Sequence, residues 1–578
     1  METASRAGGG RLYRNGVTQV RVKPRSAMAW TTPCMGAEPA RAIMACATKH
    51  VAALSRHLKL PLCLLLCAFM MVYLFSEHVA WLGLPTAEAA ASPSYVSFVS
   101  IPVLERVLPM KHLIEELLRR GHRVSFALPE MCRNWVSDLP GLEFISLGTM
   151  PSPIPHALTL KSAVGNVGIY SSYLASLQYY ASFYKPMFHP LRTDFTEDAP
   201  TIVVADRYAF AAMDVANNLS IPFIIHNPFL LLDIDDPPFY VPAPFSRYPM
   251  ATQTVWQRCA NGLHRLRFRL SNAAVAASLA KARSEFALSP TPIYGERLIL
   301  TNTVFGLEHP RPLSPLHRLV GALTSGSPPS PSPELDAFLR RDRDGCVVLV
   351  DFGADVLLST DMVSLLMTVL RDVECRTIWK LSPDMHKSFQ HDEVTRDLLA
   401  SSDVFFSLSH SLHVPNTTHV RFLVTSGGFS AVQSALLAGT PILSIPFSAE
   451  HAEFTDRVVR AGAGVAIEAN KVTAASLHFA SDLLLSHDRF AHAAERVGGL
   501  LSTGGGVDAA VDAIEAVAAR GTAGWIPARE TQPLLKTYLL DVYAVYGAVL
   551  CGVAVVLRTL LSACLSVFAR HDPLKKTQ

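Results

Sequence analysis

Four small residues, Thr425, Ser426, Gly427 and Gly428, follow the apolar run at 422–424 (FLV) and precede a helical repeat with Val432, Ala435 and Leu436 on one face. Small residues let a backbone turn sharply and lie close to a ligand. A helix that starts at such a turn presents free N–H groups and a positive dipole end to an anion. A second apolar run, 441–445 (PILSI), ends at Pro446. The unit therefore reads strand, Gly-rich turn, helix, strand, and its chemistry would be anion binding, phosphate above all. An ordinary turn between helix and strand has the same composition, so the glycines alone do not separate the two. A second candidate is Asp206, the acid that closes the apolar run 200–206 (PTIVVAD). Ligands of α/β sheets gather at the carboxyl ends of strands, and a carboxylate there is placed for proton chemistry.

These residues need a scaffold, and the hydrophobic pattern supplies one. Residues 95–101 (YVSFVSI) read as a strand. Residues 110–120 form an amphipathic helix with Leu113, Leu117 and Leu118 inward, closed by Gly121 as a C-cap. Residues 124–128 make the next strand, so the region opens as a βαβ unit. Further strands fall at 221–226 (IPFIIH), 347–351 (VVLVD) and 375–380, and a long helical stretch covers about 255–287. A Pro/Ser-rich linker, 325–333 (SGSPPSPSP), separates two alternating α/β regions. No internal repeat of solenoid period is visible.

A chain of 578 residues has room for two or more domains, and at 50% hydrophobic with 17% charged residues it is apolar enough to imply membrane segments. A net charge of +3, with no aromatic-basic clusters or Cys/His finger spacing, gives no case for a nucleic-acid partner. Residues 1–57 are Arg-rich and aperiodic, the pattern of a disordered extension. Residues 58–91 combine a basic flank, the apolar run 60–75 and small residues at Ala87 to Ala91, so they read as a signal peptide or a signal-anchor. A second apolar run, 542–557, lies within an expected membrane helix at 538–569. The basic tail 570–578 carries Lys575 and Lys576 at dilysine retrieval positions, and by the positive-inside rule it is cytosolic. That makes a single-pass type I protein of the endoplasmic reticulum membrane with a lumenal body. Sequons at Asn218 and Asn416 suit that side. Ten cysteines are present; Cys132, Cys259, Cys346 and Cys375 lack metal-ligand spacing and are buried thiols or one or two disulfides.

The longer pattern resembles the membrane-bound animal-type UDP-glycosyltransferases. That family has T-H-G-G after a strand, an Asn and a Glu on the following helix, an A-G-V-P-like turn, I-P-L and an Asp-Gln pair. The corresponding letters are T-S-G-G at 425–428, A-G-T-P at 438–441, I-P-F at 445–447 and Glu450-His451. The family phrase L-x-x-R-G-H-x-V-T-F is matched by LLRRGHRVSF at 117–126, where His122 reads as a turn residue. The resemblance implies an α/β protein of GT-B fold: two Rossmann-like domains facing across a cleft, plus a C-terminal transmembrane helix. The acceptor-binding domain would span 92–324, the linker 325–345 and the nucleotide-sugar domain 346–530. The implied reaction transfers a hexosyl group from a UDP-sugar to a small lipophilic acceptor, with no cofactor and no metal.

Several family contacts are changed. The orienting Asp matches Asp206. The base, a His in a G-H-x-x-P frame, falls on Arg106 in ERVLP, and arginine holds its proton at any working pH. An Arg106–Asp206 ion pair is expected in its place, with His112 and His226 as the nearest substitute bases. On the donor side, Ser426 replaces the pyrophosphate His, Ser430 the Asn and Ser434 the ribose Glu. Glu450 and His451 stand for the sugar-reading pair, and Gly353 follows Asp351, an acid that would repel phosphate. The uracil-stacking phrase falls on 408–411 without a Trp. Such losses also admit a non-catalytic relative acting as a lumenal binding or scaffolding protein, and an oligomer is compatible with either.

Overall fold

The computed structural model describes residues 94–150, 160–232, 237–290, 297–324, 332–341, 346–373, 375–391, 403–407, 420–527 and 532–570. The leader, the linker at 325–331, the phrase at 408–411, Asn416 and the tail from 571 lie outside these residues.

The first α/β region runs β1 (Tyr95–Val99), α1 (Leu104–Arg119), β2 (Arg123–Leu128), β3 (Glu143–Ser146), α2 (Ile169–Ser182), α3 (Tyr184–Glu197), β4 (Ile202–Asp206), α4 (Phe210–Asn218), β5 (Phe223–Asn227), α5 (Val255–Glu285), β6 (Ile299–Thr301) and β7 (His317–Leu319). Its sheet has the order β3-β2-β1-β4-β5-β6-β7, and every pairing is parallel. Parallel strands are covered on both faces, so β4 and β5 are buried along their whole length, as their unbroken apolar runs require.

The second region contains β8 (Val347–Asp351), α6 (Thr360–Asp372), β9 (Arg376–Lys380), β10 (Val404–Ser407), β11 (Val420–Thr425), α7 (Phe429–Leu437), β12 (Ile442–Ser444), α8 (Ala449–Arg460), β13 (Gly464–Ala466), α9 (Arg489–Thr503) and α10 (Gly506–Arg520). Its parallel sheet has the order β10-β9-β8-β11-β12-β13. Both sheets are doubly wound about a reversal of strand order, β1/β4 in one and β8/β11 in the other, and such a reversal opens a crevice at the strands' carboxyl ends. Helix α11 (Leu540–Arg570) contains a span, Leu540–Val567, long and apolar enough to cross a membrane, with none of it buried against the rest of the chain.

Helix α10 departs from the linear division of the chain. Its residues Ala510, Val511, Ala513, Ile514 and Val517 pack in one core with Val96, Phe98 and Leu117 of the first region. Arg120 reaches Asp512 at 2.6 Å, and His122 holds Glu515 at 2.9 Å and the Ser94 amide at 3.1 Å. The segment 346–530 is thus continuous in sequence but divided in space. Of the four body cysteines, Cys346 and Cys375 form a disulfide, while Cys132 is buried and Cys259 exposed.

Ile514 is fully buried in this returning helix. Ile514→Ala should destabilise the protein by about 2–5 kcal/mol, read as a lower denaturation midpoint of the full chain in detergent. A shift within about 0.5 kcal/mol, typical of surface positions, would show that α10 is not docked there.

Candidate functional site

Each crevice is built by the chain leaving its central strands. The segment after β1 turns into α1, whose first turn carries Glu105 and Arg106. Strand β4 ends on Asp206, fully buried, with its Oδ1 accepting the Tyr208 amide at 2.9 Å. In the second region β8 ends on Asp351 and β11 on Thr425, so Gly353 and the 425–428 turn emerge side by side. Gly427 takes φ +90°, and a Cβ there would fall 2.7 Å from Thr455 Oγ1, so only glycine fits the turn. Helix α7 starts at Gly428 and α8 at Ser448, whose hydroxyl caps the His451 amide at 3.1 Å. That cap directs Glu450 and His451 at the first region.

The two crevices face each other and are joined by charge. The buried Arg106 guanidinium lies 3.5 Å from Asp206 Oδ2 through Nη1 and 3.3 Å from both Glu450 oxygens through Nη2. Its guanidinium carbon is 4.3 Å from the Tyr208 ring centroid and 4.8 Å from that of Tyr180. Both phenols donate to Glu450, Tyr180 at 3.2 Å and Tyr208 at 3.3 Å. Burial pushes the Tyr208 hydroxyl up to about 12, which keeps it a neutral donor. Burial raises the Asp206 carboxyl, with Arg106 opposing it only in part. For Arg106, burial works against the charge, but Asp206 and Glu450 outweigh it and hold the guanidinium protonated. An aromatic contact seals the same interface, with Phe229 4.1 Å from Phe429 and Phe429 4.3 Å from Phe454.

The expected Arg106–Asp206 pair is present, and Glu450 extends it into a triad. Neither substitute base meets the requirements of one. His112 faces outward beside Glu115 at 3.2 Å. His226 pairs in register with Asp206, but burial depresses its imidazole to about 3, leaving it neutral and a weak base.

On the donor side a narrow cleft, partly open to solvent, is lined by Glu105, Asp351, Gly353, Lys380, Gly428 and Ser430, among others. Asp351 does face it, but Lys380 Nζ lies 3.0 Å away and the Gly353 amide donates to it at 2.9 Å, so its charge is compensated. Ser426, expected at the pyrophosphate, is fully buried and its hydroxyl donates to the Phe352 carbonyl at 3.0 Å. Ser434 is exposed on α7 and does not line the cleft, which separates it from the ribose role expected of it. Gly353, Gly428 and Ser430 do come together there.

Glu105 was not among the sequence candidates. Its carboxylate lies against the Gly-rich turn: a Cβ on Gly428 would collide with Oε1, and one on Gly353 would come within 3.2 Å of it. Its Oε2 is 3.5 Å from His451 Nε2. The signal was available, because Glu105 fills the Gly position of the G-H-x-x-P frame. Burial alone would raise this carboxyl, but His451 outweighs it and holds it below the ordinary value. Burial likewise opposes charge on His451, and Glu105 overcomes that to raise the imidazole. Asp355 nearby is pushed up to about 6 by burial and by Glu105. An anion from the first region therefore sits at the helix terminus where a phosphate would bind.

Two doubly wound sheets with facing crevices define the GT-B class of glycosyltransferase fold. Solved structures of that class superpose on most of the chain. The glycotransferase of kitacinnamycin gives a TM-score of 0.54 at 20% identity, over 73% of this chain and 99% of the other. The calicheamicin glycosyltransferase CalG4 gives 0.53 at 18%, over 74% and 99%. The model of the family described as UDP-glucoronosyl and UDP-glucosyl transferase matches residues 187–561, and the chain belongs to that family. Among its relatives, the 2-hydroxyacylsphingosine 1-beta-galactosyltransferase of Mus musculus is 28% identical over 207 residues, 36% of each chain. This chain thus spans about a third of that relative's length. A UDP-glycosyltransferase of Talaromyces amestolkiae is 22% identical over 425 residues, 68% of this chain and 80% of the relative.

Two outcomes follow. Glu105→Gln removes a negative charge from the N-terminus of α7 and should tighten binding of an anionic ligand such as UDP by about tenfold or more, measured by calorimetry; unchanged or weaker binding would show that no anion binds at this terminus. The Glu105–His451 pair contributes stability that is fully present below the unfolded imidazole value of 6.5 and is lost as pH rises through the raised folded value. On the acid side it is lost as pH falls through the lowered Glu105 value. The melting-temperature gap between the protein and His451→Gln should therefore be widest near pH ~5.5 and shrink towards pH ~9. A gap that grows with pH would exclude the pair.

Proposed function

We propose that this protein is a hexosyltransferase that uses a UDP-sugar and a small lipophilic acceptor. The observation that carries the reading is the pairing of two crevices in a family member, one with the buried acid Asp206 and one with the glycine turn at the start of α7. The donor's diphosphate would bind at Gly353, Gly428 and Ser430, with Lys380 supplying the positive charge. Glu450 and His451 would read the sugar once the cleft opens and their present partners withdraw. The acceptor hydroxyl would attack the anomeric carbon, its proton would pass to a carboxylate, and UDP would leave. Asp206 is the fitting proton acceptor, because burial raises its carboxyl and makes it a stronger base than an exposed aspartate. Arg106 positions Asp206 and takes no proton.

A lipophilic acceptor is supported by the sphingosine derivative named in one relative and by the apolar C-terminal span. Anchoring by α11 in the endoplasmic reticulum membrane, with a signal segment at 58–91, a lumenal body and a glycan at Asn218, belongs to the same reading. So do the boundaries 92–324 for acceptor binding and 346–530 for the donor, with α10 returned to the first region. The non-catalytic role admitted by Arg106 draws no support from the relatives, which carry transferase names.

Calorimetry with UDP and a panel of UDP-hexoses tests the donor half directly, and absence of heat at millimolar ligand would end the transferase reading. Asp206→Asn should abolish transfer, by about 100-fold or more, while leaving UDP affinity within about twofold. Loss of UDP binding in that variant would point to a structural role instead.

A further inference from the structure

We propose that the outward face of α5 lies on an anionic lipid bilayer, as a second membrane contact separate from the C-terminal span. Helix α5 is apolar on two sides. One side, with Phe268, Val275, Leu279 and Ala282, is buried against the first region. At 3.6 residues per turn, Val255, Trp256, Cys259, Leu263, Leu266 and Leu270 fall within an arc of about 100° on the opposite side. All six are exposed, Trp256 by 82% and Leu263 by 70%. A contiguous apolar stripe some 23 Å long is unusual on a soluble surface and marks an interaction site.

The charges around it select the partner. From Val255 to Ser284 the helix carries Arg258, Arg265, Arg267, Arg269, Lys281 and Arg283 and no acid; only Glu285 follows. Arg265 and Arg283 are buried. Arg258 and Arg269 flank the stripe on one edge and Arg267 on the other, all three exposed. An apolar face with a tryptophan at one end and arginines along both edges is the composition of a helix lying in a membrane interface. Arg258 Nη1 donates to the Gln253 carbonyl at 3.4 Å and the Arg267 guanidinium lies 4.3 Å from the Tyr170 ring centroid, so positive charge is held along the edges of the apolar face, where anionic headgroups would meet it. Pairing of this stripe with the same stripe of a second copy would bring the arginines against one another, with no acid between Val255 and Ser284 of either helix to receive them. The stripe is also held rigid. Thr254 and Gln257 form a capping box at the helix start. Arg265 ties down the neighbouring loop, where Phe239 is 82% exposed, through the carbonyls of Pro237, Pro238 and Val241.

The test uses the full chain reconstituted into vesicles of phosphatidylcholine and phosphatidylserine that contain a photoactivatable phosphatidylcholine, with lipid adducts mapped by mass spectrometry. Adducts are expected on the α5 peptides carrying Trp256, Leu263 and Leu270 as well as on the 540–567 span. Adducts confined to the span would overturn the proposal. So would α5 peptides free of lipid but joined to α5 of another copy by a bifunctional cross-linker, which would give the face to a homodimer. In Leu263→Glu/Leu270→Glu, both changes on the exposed side, α5 adducts should fall about tenfold while span adducts persist. Unchanged α5 adducts there would also overturn it.

Discussion

Arg106 is the charge on which the closed arrangement depends. A guanidinium cannot shed its proton, so once buried it must be matched by carboxylates and hydrogen-bond acceptors. Asp206 supplies one match from its own region and Glu450 the other from across the cleft, with Tyr180 and Tyr208 completing the shell. Removing either acid would leave the guanidinium with the other acid as its remaining charged partner. The same ion therefore fixes Asp206 in place and ties the two α/β regions together.

Glu105, one residue earlier on the same helical turn, extends this logic to the donor side. Consecutive helical residues point about 100° apart, so Arg106 turns to the acceptor crevice while Glu105 turns to the glycine turn of the other region. The helix terminus at Gly428 attracts an anion, and with the regions together the protein provides one of its own. On the proposed reading, donor binding and cleft opening would be linked, because the diphosphate and the Glu105 carboxylate would compete for one position. Lys380 has an analogous double tie, to Asp351 now and to a phosphate when one is bound.

Much of the scaffold was legible in the chain. Buried parallel strands need near-continuous apolar runs, which is why β4, β5 and β11 fall on the runs PTIVVAD, IPFIIH and FLV, the last extended at both ends. The buried face of α7 includes the predicted Val432, Ala435 and Leu436, with Phe429 and Gln433 added. The site was legible only in outline. Asp206 and the 425–428 turn were found because strand ends and glycine turns leave local signatures. The serines at 426, 430 and 434 were all expected to face the donor, yet the first is spent on a carbonyl, the second lines the cleft and the third is exposed.

The sequence by itself determined the apolar C-terminal helix and, through its resemblance, the family and the two Rossmann-like sheets, with Arg106 where the family pattern has a His. These follow from period, composition and letter order, all of which are local. Only the tertiary structure decided that Arg106 meets Glu450, 344 residues away, that Glu105 sits on the donor turn, and that α10 returns to the first sheet. Charge compensation and core packing act between residues distant in the chain, so their partners appear only when the chain is folded.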